Sequence, residues 1–291
     1  MNIRKFLSRI LLLLSIPFWI SSCTESPFGE NVISGDRSAI SGKVMLDTNV
    51  VAKNALVWLE GMDITTRTDD DGEFRIEALP RGAQGGSNGY TGTLNLYYYY
   101  GNFKLTKTTL ALQDGQFIYD SGPINGKGKI SEPVIMQKLV DITMQLSPSY
   151  LVIGTNPQVR VDVVLTALDD SVSVFYPGNV EGTLHPLTLV DKSNGNHWTV
   201  QSTLIGVTSG PATKTIAAGD SQKRSYILGA GFIPDKNAEY EIVPYFLLKH
   251  EPIPSGIYQD PEGGSFTSLA NHWKLPFERE GGKLSVQASD D

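Results

Sequence analysis

Cysteine is almost absent from this sequence: Cys23 is the only one in 291 residues. A single cysteine excludes an internal disulfide, and a free exposed thiol is a liability on a secreted chain, so its presence asks for a chemical reason. Histidine is nearly as scarce. His185, His197, His250 and His272 are never two, three or four residues apart. That excludes a His-Glu-x-x-His zinc helix, and the lone cysteine excludes a Cys-x-x-Cys pair. A phosphate-binding loop and a Gly-x-Gly-x-x-Gly fingerprint are missing too. Nowhere do more than two Lys or Arg stand together, and the net charge is −7. Nucleic-acid binding, which needs a basic patch, is therefore not expected. Carboxylate pairs such as Asp169-Asp170 fall at turns, and adjacent residues of a strand point to opposite faces. The sequence thus presents no catalytic constellation, metal site or cofactor site, and a non-enzymatic protein is the expectation. Helical periodicity is also nearly absent.

What is present begins at the N-terminus. Arg4 and Lys5 precede an apolar run over positions 10 to 20, followed by Ser21-Ser22-Cys23. A positive start, a short apolar stretch and small residues before a cut site make a secretory signal. The run falls short of the ~20 apolar residues that span a bilayer, and Pro17 interrupts it. Ile20-Ser21-Ser22-Cys23 resembles the lipobox of bacterial lipoproteins. The resemblance implies that the Cys23 thiol receives a diacylglycerol, that the chain is cut just before it, and that the new amino group is acylated. Residues 1–22 are then a signal peptide and Cys23 the lipidation site. At ~0.8 kcal/mol per buried methylene, two or three acyl chains make a durable anchor where one does not. Residues 23–37 are polar and turn-rich and read as a lipidated tether. The expected partner at this end is a membrane, and the expected place the cell envelope, at the outer membrane, periplasmic or surface-facing. Glu25 lies two residues after Cys23, where some bacterial groups use acidic residues to direct lipoproteins to the surface.

The rest is core-forming: 40% apolar and 19% charged, with 29 glycines and 16 prolines marking many turns. The fold class expected is all-β, as two β-sandwich domains over 38–138 and 139–291. In the first, strands are read at 40–46, 55–59, 63–68 and 73–76, the last entered through Asp70-Asp71-Gly72. Ile40-Ser41-Gly42-Lys43-Val44, Ala55-Leu56-Val57-Trp58-Leu59, Thr66 to Ile76 and Leu79-Pro80-Arg81-Gly82, in that order, resemble the carboxypeptidase regulatory-like domain. That family implies a seven-stranded, prealbumin-like sandwich and a non-catalytic accessory role. Gly72 is read as the residue that takes φ > 0 in the hairpin, with Phe74 and Ile76 alternating inward and Leu79 plugging the core. Asp69, Asp70 and Asp71 invite a calcium reading. An EF-hand register with Gly72 sixth puts Arg67 first and Ala78 twelfth, so both anchoring ligands fail and turn chemistry is preferred.

Gly85-Gly86-Ser87-Asn88-Gly89 reads as a flexible loop. Leu94 to Tyr100 ends in four consecutive tyrosines, a strand with aromatics on both faces. These are either an exposed platform for a protein or glycan partner, or two core residues and two lying along a neighbouring strand, the reading preferred here. A hairpin through Asp114-Gly115 and a closing strand at 134–136 complete the domain.

In the second domain, alternating segments at 139–146, 159–165, 172–175, 187–190, 197–200, 214–216, 224–228 and 240–246 point to an immunoglobulin-like sandwich. Ala217-Ala218-Gly219-Asp220-Ser221 resembles a turn of bacterial Ig-like modules. Beyond Lys249 the chain reads as loop-like, with the Trp of His272-Trp273 covering a sandwich edge. The leading functional expectation is a non-catalytic, membrane-anchored envelope lipoprotein acting as a binding, adhesion or scaffold module for a protein or glycan partner. The alternatives are a subunit of a surface fibre and a hydrolase with a site at the domain junction.

Overall fold

The alternation of apolar and polar residues becomes strand wherever turn residues bound it. The computed structural model describes residues 37–47, 49–155, 158–206, 212–229, 231, 233, 237–249 and 268–287. The signal peptide, Cys23, nearly all of the tether, His250 and the last four residues lie outside the described residues.

The first sandwich is built from β1 (Ala39–Leu46), β2 (Leu56–Leu59), β3 (Ile64–Arg67), β4 (Glu73–Glu77), β5 (Gly92–Tyr99), β6 (Thr106–Gln113), β7 (Gln116–Phe117) and β8 (Val134–Met136). They form a three-stranded sheet, β4-β1-β8, and a five-stranded sheet, β3-β2-β5-β6-β7. β1 pairs antiparallel with β4 and parallel with β8. Alternate residues fill the space between the sheets: Ile40, Val44, Phe74 and Ile76 from one, Val57, Leu59, Leu96, Tyr98 and Leu110 from the other. This is a β-sandwich, as expected, of eight strands where the family resemblance implied seven. Gly72 has φ +74°, and a Cβ there would lie 2.6 Å from the Val44 carbonyl oxygen. The Asp69 carboxylate accepts from the backbone N–H of Asp71 (3.0 Å) and Glu73 (2.8 Å), which makes an Asx turn.

The second sandwich contains β9 (Val140–Ser147), β10 (Tyr150–Val152), β11 (Val159–Ala167), β12 (Val172–Tyr176), β13 (Asn179–Val180), β14 (Thr183–Leu184) and β15 (Leu187–Asp191). It continues with β16 (His197–Val200), β17 (Thr203–Leu204), β18 (Ala212–Ile216), β19 (Ser221–Leu228), β20 (Ala238–Pro244), β21 (Leu247–Lys249) and β22 (Gly282–Gln287). One helix, α1 (Leu269–Lys274), precedes β22. The main sheets run β9-β11-β19-β17 and β10-β22-β20-β15-β16. That is the A-B-E-D and G-F-C-C′ order of an immunoglobulin-like sandwich. A third sheet, β18-β12-β21, and the β13-β14 hairpin are additions to it.

The structure corrects two expectations here. The segment 240–246, read as one strand, ends at Pro244, whose missing N–H stops the ladder; the chain then crosses into the third sheet as β21. The region after Lys249 is not all loop. β22 lies between β10 and β20 in the five-stranded sheet. Only Leu284 and Val286 of this strand point inward, and its alternation is too short to stand out beside Gly281-Gly282. A Cβ at Gly282 would meet the end of the Leu146 side chain of β9, which would have to turn aside. Among the described residues no helix is long and apolar enough to cross a membrane.

Candidate functional site

β8 ends at Met136 and β9 begins at Val140, so the connection has no slack and the sandwiches pack directly on each other. Their junction gathers most of the unusual chemistry of the described chain. The four tyrosines decide its shape. Strand alternation sends Tyr98 into the first core, edge-on to Phe74, while Tyr100 packs at the core margin against Phe103. Tyr97 and Tyr99 point outward. Tyr99 is buried with Trp58 and Leu275 in a separate apolar cluster that Leu247 also joins. Two tyrosines thus serve the core, as preferred from sequence, but Tyr99 is covered by the second sandwich rather than by a neighbouring strand alone. Only Tyr97, stacked on Trp58 at 5.5 Å, stays half-exposed on the outward face.

Backbone and ion pairs lock the same junction. Gly101 N–H donates to the Pro276 carbonyl (2.6 Å), and a Cβ on Gly101 would run into the Phe277 ring. Asn102, fully buried, accepts from Glu278 N–H (3.2 Å) through its side chain and from Leu139 N–H (2.9 Å) through its carbonyl. Lys138 reaches Asp141 (3.0 Å), Glu280 (3.0 Å) and Glu278 (3.3 Å). Burial alone would lower the Lys138 ammonium, but these carboxylates outweigh it and raise it above the ordinary lysine range. Asn102 carries the junction, and nothing in Gly101-Asn102 distinguishes it in sequence from an ordinary turn.

α1 brings His272 and Arg279 together. Ser268 caps the helix by accepting from Asn271 N–H. At the other end Arg279 donates to the His272, Trp273 and Leu275 carbonyls, the groups a helix C-terminus leaves open. Its guanidinium also lies 4.5 Å over the Trp273 ring. Trp273 in turn stacks on His197 of the edge strand β16 (4.1 Å), so it does cover a sandwich edge. His272 is buried, stacked on Tyr245 at 4.0 Å, and its Nε2–H donates to the Phe246 carbonyl (3.1 Å). Burial, reinforced by the Arg279 charge, lowers its pKa to about 3, so the ring is neutral. Burial likewise lowers Arg279 to about 10, which leaves it charged at neutral pH.

A cleft of about 310 Å³ opens elsewhere along the junction, with Lys104, Asp170, Ser171 and Lys249 around an apolar floor that includes Leu139 and Val172. Lys104 and Asp170 pair across it at 2.7 Å, and the Ser171 hydroxyl accepts from Ala218 N–H (3.3 Å). No described histidine lines it, so the perturbed imidazole of His272 and the cleft do not form one site. Gly85-Gly86-Ser87-Asn88-Gly89 has Gly-x-Ser-x-Gly spacing, yet it is an exposed turn between a 3₁₀ turn at Arg81–Ala83 and β5, not a strand-to-helix elbow. Among the described residues no group of three His, Cys, Asp or Glu could hold a metal ion. Cys23, the one site residue singled out from sequence, lies outside the described residues.

No family model and no curated protein matches the chain. Among solved structures, the ASH / PapD-like domain of human CEP192 is similar over 52% of this chain and 86% of its own, at 8% identity and a TM-score of 0.18. Dpr2 Ig1-Ig2, in complex with DIP-Theta Ig1-Ig3, is similar over 87% of this chain, at 7% identity and a TM-score of 0.20. This chain spans 59% of the length of that one. Likeness at these scores carries no argument, and the assignment as an all-β protein of two sandwiches rests on the strand order itself.

Proposed function

We propose that this chain is a non-catalytic, lipid-anchored protein of the bacterial cell envelope that presents two joined β-sandwiches to a protein or glycan partner. The observation that carries the reading is the lone Cys23, placed directly after an apolar run and two serines. A secreted chain keeps a single thiol at that spacing when the thiol is used. The sandwiches support the second half of the reading: sheet faces and loops held on a rigid frame are recognition surfaces. The carboxypeptidase regulatory-like resemblance of residues 40–82 points the same way, toward an accessory module. We place the anchor in the outer membrane, facing the periplasm or the surface.

The test is fractionation with fatty-acid labelling. Wild-type protein should sediment with membranes after a high-salt wash and incorporate a labelled acyl chain. Cys23→Ala should lose the label and move to the soluble fraction with both sandwiches folded. A Cys23→Ala protein that stays in the washed membranes refutes the anchor.

A second reading, a subunit of a surface fibre, draws on β9. This eight-residue strand is hydrogen-bonded to β11 alone among the described strands, and an open edge of that length can accept a neighbour's strand. Filaments of purified protein under the electron microscope would favour it.

A further inference from the structure

Resting on the reading of the chain as a binding module, we infer that the half-exposed part of the outward face of the first sandwich's five-stranded sheet, centred on Tyr97, is a carbohydrate site for a neutral hexopyranose. Register places Thr65, Trp58, Tyr97 and Lys107 in one cross-strand row on the outward face, with Asn95 and Thr109 in the next row. Rows on one face are two residues apart, about 6.5–7 Å along the strand, so a ring seated on Tyr97 brings its hydroxyls over Asn95. Trp58 is only 6% exposed and its indole N–H donates to Asp63 (3.1 Å), so it acts as a fixed backing for the Tyr97 ring. Beside the ring, Asn95 donates to Glu60 (2.7 Å) and accepts from the Thr109 hydroxyl (3.0 Å). The patch therefore offers a pre-set aromatic plane and, next to it, an ordered amide, carboxylate and hydroxyl.

That pairing matches a sugar, which has an apolar C–H face and a rim of hydroxyls. The face lies on the aromatic ring and the rim exchanges hydrogen bonds with planar polar groups. Charge selects the class of sugar. Glu60 and Asp63 accept from neutral hydroxyls and outnumber Lys107, the cation of the Tyr97 row, so the net charge of the patch disfavours uronate, sulfate or phosphate groups. The patch is also bounded: at the Tyr99 end of the strand, Leu275 and Leu247 of the second sandwich close the outward face. It is thus continuous with the junction and shares its rigidity, which lowers the ordering cost of binding.

The experiment measures binding of the detergent-solubilised, full-length lipidated protein to neutral glycans (glucan, mannan, galactan and xylan oligosaccharides), to polygalacturonate and sulfated glycans, and to a peptide library. Wild type should bind at least one neutral oligosaccharide and show no preference for the anionic ones. Tyr97→Ala should weaken that binding about tenfold or more, corresponding to the loss of an aromatic contact. Tyr97→Phe, which keeps the ring, should retain most of it, and Asn95→Ala should lose several-fold. Unchanged circular dichroism and melting temperature keep the variants interpretable. Binding to anionic glycans or peptides alone, no glycan binding at all, or full binding by folded Tyr97→Ala each overturns the proposal. None of these outcomes touches the Cys23 anchor, whose failure shows in fractionation.

Discussion

His272 shows how a single residue converts burial into a measurable dependence on pH. In the unfolded chain its imidazole takes up a proton near pH 6.5, whereas in the folded protein burial and Arg279 delay that until about pH 3. Between those values the unfolded state binds the extra proton. Stability is therefore fully present above pH 6.5 and falls as the pH drops toward 3, by up to about 1.4 kcal/mol per pH unit from this residue. Urea midpoints measured from pH 7.5 to pH 4 should show the decline. The His272→Phe protein keeps the stack on Tyr245 and should show a shallower one; equal slopes would mean that His272 titrates normally. Asp162 acts in the same direction at lower pH. Burial raises its carboxyl, but hydrogen bonds from the Ser225 hydroxyl, Lys223 and Arg160 outweigh that and hold it at about 2. Its contribution is present above pH ~4 and disappears between there and 2.

At the scale of the element, β22 is the informative case. A tail of loop character can be removed without unfolding a domain, but a strand paired on both sides cannot. β22 pairs with β20 and β10, and it brings Leu284 and Val286 into the second core. Ending the chain after Gly281 should therefore abolish folding of the second sandwich, read as protease sensitivity within residues 139–281 and loss of near-ultraviolet dichroism. A truncated protein as resistant as wild type would restore the loop reading. The same strand shows where sequence reasoning runs out. β1, β5, β11 and β19 are long enough for period-2 alternation to be seen, and the Asp114-Gly115 turn, with φ +50° and +76°, announces the β6–β7 hairpin. β22 has two inward side chains, and its pairing comes from strands far away in the chain, which no local pattern reports. The tyrosine row is intermediate. Alternation assigns Tyr98 and Tyr97 to opposite faces, but it is packing from the second sandwich, Leu275 among it, that buries Tyr99 and leaves Tyr97 half-exposed. Asn102 was not legible at all, since its role depends on Glu278, 176 residues away.

For the whole molecule the question is whether two cores behave as one. Residues 37–291 pack as a single unit, although the apolar cores, 40–136 and 139–286, are separate clusters. What joins them is a connection with no slack, the Trp58–Tyr99–Leu275 cluster, the buried Asn102, and Lys138 among its carboxylates. Interfaces of this make-up, partly apolar and partly polar, couple domains without merging their cores. Gly101 is the sensitive point, because any side chain there meets Phe277, and Phe277 is itself held edge-on to Phe246 at 5.4 Å. Wild-type protein should melt in one calorimetric transition. Gly101→Val should cost about 1–3 kcal/mol at the junction through overpacking and split the melt in two, one transition for each sandwich. Lys138→Met, which leaves three carboxylates facing one another without their cation, should act in the same direction. A single unsplit transition in both variants would mean that the sandwiches are coupled by their short connection alone, and that the junction is contact without consequence.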